Sequence, residues 1–102
     1  MQSATDPDRL HNPHASEILV LKFMEPLGLN SESLAGPLGV AAARLEGVIA
    51  GHISIAADLD LRLAHYFRMS EGFFLGLQDD YELLEAKRAL NGELDRIVPR
   101  AA

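Results

Sequence analysis

The sequence has no cysteine, and basic side chains are scarce: nine Lys and Arg stand against fifteen Asp and Glu, a formal net charge of −6. The first absence excludes disulfides, thiolate zinc sites and a cysteine nucleophile together. The second counts against nucleic-acid binding of the ordinary kind, which neutralises phosphates with clustered Lys and Arg, so local charge has to decide that question. Long apolar runs are missing too. Stretches such as Ile18-Leu19-Val20-Leu21 and Val48-Ile49-Ala50 fall far short of the roughly 18 residues that signal a bilayer crossing. Met1 to Asn12 has neither a basic start nor an apolar h-region and reads as the leader of a cytoplasmic protein rather than a secretory signal. There is no clean polar/apolar alternation and no Asn-Gly or Asp-Gly between two strand-like runs, so strands are not expected.

What remains is helical periodicity. The 102 residues and 48% apolar content suit one domain with its own core. The expected organisation is a flexible leader over 1–14, a domain over 15–92, and an extended or disordered tail over 93–102. A first helix is predicted from Ser16 as N-cap, with Ile18, Leu19, Phe23 and Leu27 inward and Gly28 as its stop. Val20, Leu21 and Met24 make it apolar nearly all round, so these three are either buried by the tail or exposed as a dimer or partner contact. Asn30 and Ser31 offer caps for a second helix burying Leu34, Ala35 and Leu38 and ending at Gly39. A third, from about Ala41 to Ala50, buries Leu45, Val48 and Ile49 and stops at Gly51. Two helices joined by a tight glycine turn are the plan of a helix-turn-helix.

A fourth helix is expected over Ala57 to Phe67 with Leu61, Leu63, Ala64 and Phe67 inward, and Asp58 and Asp60 placed where the helix dipole favours acids. Ser70 would cap a short fifth helix holding Phe73, Phe74 and Leu77, followed by an exposed final helix over Asp79 to Asn91. The fold class is therefore all-α, a bundle of five to six helices containing a helix-turn-helix.

Several stretches resemble HigA antitoxins of the Xre/Cro-like helix-turn-helix group. Asn12-Pro13-His14-Ala15-Ser16-Glu17-Ile18-Leu19 is similar to the family's opening, and Glu25-Pro26-Leu27-Gly28-Leu29 to the end of its first helix. Leu34-Ala35 with Leu38-Gly39-Val40 resembles its turn, and Arg44-Leu45, Val48-Ile49 and Gly51 its recognition helix. Ala57-Asp58, Leu61-Arg62-Leu63-Ala64, Tyr66-Phe67, Phe73-Phe74-Leu75 and Leu77-Gln78 complete the pattern from residue 12 onward. The resemblance implies a lambda-repressor-like regulatory domain that forms a homodimer, binds duplex operator DNA through its third helix, and neutralises a RelE-like ribonuclease toxin called HigB. No cofactor is implied.

On that resemblance the DNA-binding positions are Glu32, Ala42, Ala43, Arg44, Glu46, Gly47, Ala50, His52 and Ile53, and their chemistry departs from the family's. The loop after the recognition helix usually reads Asn-Gly-Lys-Arg and here reads Ala50-Gly51-His52-Ile53, while Glu32 stands where a Gln commonly braces phosphate. Across residues 31 to 60 a single base, Arg44, faces Glu32, Glu46, Asp58 and Asp60. Ala and Gly on the third helix cannot read base edges, and Arg44 either reads guanine or phosphate, or pairs with Glu46 or Glu32. Weak duplex binding at physiological salt is expected. The alternative is a protein-binding module, diverged or engineered on this scaffold, in which the third-helix face, with Ile53 and Leu59, docks another protein.

Catalysis finds no support. Asp58/Asp60 and Asp79/Asp80 are explained by capping and dipole effects, no glycine-rich phosphate loop occurs, and His14 and His65 lack a second ligand at metal spacing, so neither catalytic nor metal residues are expected.

Overall fold

A computed structural model describes residues 11–101; most of the expected leader lies outside the described residues. The helical segments are α1 (Ala15–Ile18), continued by a π-helical stretch over Leu19–Met24 and a 3-10 turn over Glu25–Leu27, then α2 (Ser31–Leu38), α3 (Ala42–Ile49), α4 (Ala57–Phe67), α5 (Phe73–Leu90) and a final 3-10 turn over Glu93–Arg96. No strand occurs among the described residues.

The end of the expected leader is part of the fold. His14, not Ser16, caps α1: its imidazole Nδ1 accepts from the Ser16 backbone N–H, and the Glu17 carboxylate accepts from the His14 N–H. Ser16 is buried at the second position of the helix. Asn12 donates through Nδ2 to the Tyr81 carbonyl (3.0 Å) and the Glu85 carboxylate (3.1 Å), tying the chain start to α5.

The π-helical stretch explains why the first helix buries a different face from the one expected. Its widened turn closes i→i+5 bonds, as in the Glu25 N–H to Val20 carbonyl bond. Residues five apart then share a face, and Leu19 and Met24 both enter the core. Met24, 3% exposed, is therefore no partner contact, and Leu27, assigned to the core by a 3.6 period, is 64% exposed beyond the wide turn.

The core is built from Leu19, Leu34, Leu38, Leu45, Val48, Leu59, Leu63 and Phe74, contributed by every helix. Phe23 packs against Phe67 in a tilted arrangement and edge-on against Phe73 and Phe74, at centroid distances of 5.1, 5.9 and 5.1 Å. In α4 the buried set is Leu59, Asp60, Leu63 and Ala64, so Leu61 points outward and Leu59, expected on the docking patch, is wholly inside. The fifth and final helices are one. Gly72 rather than Ser70 stands at the N-cap of α5, and the helix runs on without a break. Asp60 makes this start possible: its carboxylate accepts from the backbone N–H groups of Gly72 (2.7 Å), Phe74 (2.8 Å) and Leu75 (2.9 Å). These are the donors that a helix N-terminus leaves without intrahelical partners.

Candidate nucleic-acid interface

The α2–α3 pair is fixed in three steps. Asn30 caps α2 by accepting from the Ser33 N–H (2.8 Å), while the Ser33 hydroxyl accepts from the Asn30 N–H (2.8 Å). Gly39 then turns the chain at φ 72°, in the left-handed region that favours glycine. The Val40 N–H bonds back to the Ala35 carbonyl, closing the Schellman pattern. Finally α4 reaches across: Arg62 donates to the Leu38 carbonyl at 2.7 Å, satisfying an acceptor left open at the end of α2.

The same helix holds α3. Arg44 makes a bidentate fork to Asp58 (2.8 and 2.7 Å), and Arg62 lies 3.4 Å from the same carboxylate. The chain from the end of α2 through Arg62 and Asp58 to Arg44 braces both helices of the pair against α4. Hydrogen bonding from Arg44 lowers the Asp58 pKa to about 2, with the positive charges of Arg44 and Arg62 adding to the effect. Arg44 in turn is raised above its ordinary value by that bond. Arg44 thus pairs with neither Glu32 nor Glu46, and its fork, the geometry that reads guanine or phosphate, is occupied by a carboxylate.

The remaining positions form a face without cations. Ala43, Glu46, Ala50 and His52 are exposed, Ala42 is half-buried, and Glu32 is exposed in the first turn of α2. Gly47 is not an open surface position. A Cβ there would collide with the Ile53 side chain, and the Gly47 carbonyl accepts from the N–H groups of His52 (2.9 Å) and Ile53 (3.1 Å). Ile53 folds back over α3 and still leaves 44% of its surface in solvent. Val20 and Leu21 are elsewhere: with Ser16, Glu17 and Ile49 they line a shallow groove of about 330 Å³.

Sequence reasoning passed over Asp58, Asp60 and Arg62 as positioning residues. The one signal for the first and third is their i, i+4 spacing, an acid four residues before a base on one helix. Nothing local marks Asp60, whose partners lie twelve or more residues away.

No family model matches the chain. It is 33% identical over 75 residues to virulence-associated protein I of Dichelobacter nodosus, covering 74% of this chain and 69% of that protein. The fold superposes on PA4674 of Pseudomonas aeruginosa, solved in complex with its operator DNA, with a TM-score of 0.81 and 30% identity over 90% of this chain and 98% of that one. It also superposes on the Pseudomonas aeruginosa antitoxin HigA, solved with the higBA promoter, with a TM-score of 0.77 and 27% identity, covering 90% and 100% of the two chains. The chain belongs to the HigA-type helix-turn-helix antitoxin family. HigA-type proteins are regulators, not enzymes. As a HigA-type protein the chain carries the helix-turn-helix as α2 and α3, with α3 in the recognition position and its single base engaged by α4. No helix among the described residues is long and apolar enough to cross a membrane.

Proposed function

We propose that this HigA-type antitoxin and autoregulator acts in the cytoplasm as a homodimer, places α3 in the major groove of its operator, and neutralises a RelE-like ribonuclease toxin. The observation that carries the reading is the α2–Gly39–α3 pair, braced by α4, within a fold that matches a relative solved on operator DNA. Two such units related by a two-fold axis would present paired α3 helices to successive major grooves. With Arg44 tied to Asp58 and no other Lys or Arg between residues 31 and 60, DNA attraction is weak and depends on few phosphate contacts.

The toxin half of the proposal is tested by expressing the gene neighbouring this one, alone and together with the chain. Growth arrest relieved by co-expression supports it. A toxic neighbour that the chain neither relieves nor binds overturns it.

The Arg44–Asp58 pair also favours a second reading, in which the α3 face docks a protein. Ala43, Ala50 and the exposed part of Ile53 form an uncharged, partly apolar surface there. Ala43→Arg adds a long cation to the middle of that surface without touching the core. Under this reading it lowers affinity for the partner; under the operator reading it raises affinity for duplex DNA.

A further inference from the structure

The outward side of α3 sets one carboxylate among apolar groups. At about 100° per residue, Leu45 and Val48 face the core, while Arg44 faces α4, where Asp58 fills its fork. Glu46, two residues on, comes out on the opposite side and stands in solvent. Ala43 and Ala50, two turns apart and both exposed, form the middle of the face, with Glu46 on one flank and Gly47 on the other. Ile53 lies over Gly47 and fills that second flank with an apolar side chain that is 44% exposed. Among the described residues no donor engages the Glu46 carboxylate.

Such a face has no free cation for guanine and no amide for adenine, yet it matches two other groups of the major groove. Thymine presents a C5-methyl there, which apolar side chains contact, and cytosine presents its N4 amino group, from which a carboxylate accepts. Guanine presents only acceptors, N7 and O6, and thymine beside its methyl only O4, so a carboxylate opposite either meets lone pairs with no proton between. From Ala43 to Ala50 the helix rises about 10 Å at 1.5 Å per residue, about three base-pair steps of 3.4 Å. Glu46 lies between the two alanines along this rise.

We propose that α3 selects its half-site by methyl contact and a single acceptor: Ala43, Ala50 and Ile53 pack on thymine methyl groups, and Glu46 accepts from the N4 amino group of a cytosine among them. The half-site is then thymine-rich with one cytosine, and guanine is rejected at the cytosine's place. Glu46 works mainly by exclusion. Its charge beside the phosphates weakens binding to every duplex, and only a base that donates to it offsets the loss, so wrong sequences are penalised more than the right one is favoured. With Arg44 held by Asp58, little sequence-independent attraction remains to mask this discrimination.

This inference rests on the operator reading above and specifies what the operator contains. The test selects bound duplexes at low salt from a pool whose randomised core of about 20 base pairs holds two half-sites one helical turn apart, using the full chain and its Glu46→Gln variant, with circular dichroism to confirm that helix content is kept. Wild type is expected to enrich thymine-rich half-sites with one fixed cytosine. Glu46→Gln should move that position to adenine, whose N6 and N7 suit a glutamine amide. A second arm needs no variant protein: on the enriched duplex, deoxyuridine in place of thymine, which removes only the methyl groups, should weaken wild-type binding about tenfold, and guanine in place of the cytosine at least about tenfold. An enriched sequence whose cytosine persists with Glu46→Gln, or whose binding is indifferent to deoxyuridine, overturns this readout and leaves the operator reading standing. A wild-type chain that enriches no sequence overturns both.

Discussion

The α4–α5 corner and the outward face of α3 use polar chemistry in opposite ways. At the corner, Asp60 is buried and gives its carboxylate to three backbone N–H groups. Gln78, also buried, accepts from the Ile55 N–H (2.7 Å) and donates to the Ile55 carbonyl (3.2 Å). On the α3 face, Asp58 sits two residues from Asp60 on the same helix, in solvent, and pairs with the one base that α3 carries. The difference separates what builds this fold from what reads a ligand. At the corner, Asp60 and Gln78 have their polar atoms partnered, and on the α3 face the charge is neutralised from within.

The sharpest way to break the comparison is Asp60→Ala. It strands three N–H groups at a buried helix start, with an expected loss of about 3 kcal/mol and a fall in melting temperature of more than about 10 °C. A smaller change in thermal unfolding would mean that water reaches the corner. Gln78→Ala should cost about 2 kcal/mol, since it removes both bonds to Ile55 and leaves that backbone buried and unpaired; chemical denaturation measures it directly.

These corner contacts were the least legible part of the sequence. Asn30 as a cap, Gly28 and Gly39 as stops, and Leu34, Leu38, Leu45, Val48, Leu63 and Phe74 as core could be read from spacing and residue type, because local geometry decides them. Asp60 read as a first-turn acid because its partners come from the next loop and helix. Met24, Leu27, Leu59 and Leu61 lie on the sides opposite to those a regular helical period predicts. A π-helical stretch changes the period of the first helix, and in α4 the stripe starts at Leu59, one turn before Leu63, which leaves Leu61 on the outer side. Of the reading face, the lack of cations was visible from composition, but the capture of Arg44 by Asp58 was not, since fourteen residues separate them.

On the α3 side, a double-mutant cycle tests whether Ile53 dictates Gly47. Alanine favours a helix over glycine by about 1 kcal/mol. Gly47→Ala should gain none of this in wild type, because the new methyl meets Ile53, and recover it in an Ile53→Ala background. Equal effects in both backgrounds would show that the two side chains are independent.

Asp58→Asn should have the smallest effect on stability at neutral pH, since exposed ion pairs contribute little. Its signature is acid dependence. The Asp58 pKa is lowered from 3.8 to about 2 in the folded chain, so its contribution is full above about pH 4 and fades as pH falls towards 2. Melting temperature should therefore decline more steeply over that interval in wild type than in Asp58→Asn; parallel declines would assign the acid sensitivity to other carboxylates.

In this HigA-type fold α3 is held in place while α4 engages that helix's single cation, Arg44. Fluorescence anisotropy of a duplex drawn from the gene's own upstream region, titrated at a series of salt concentrations, tests it most directly. The predicted result is binding at low salt that falls with a logarithmic slope of about −1 to −2, the signature of one or two phosphate contacts per duplex. A slope of about −5 or steeper would contradict it, showing that cations beyond the α3 face grip the phosphate backbone.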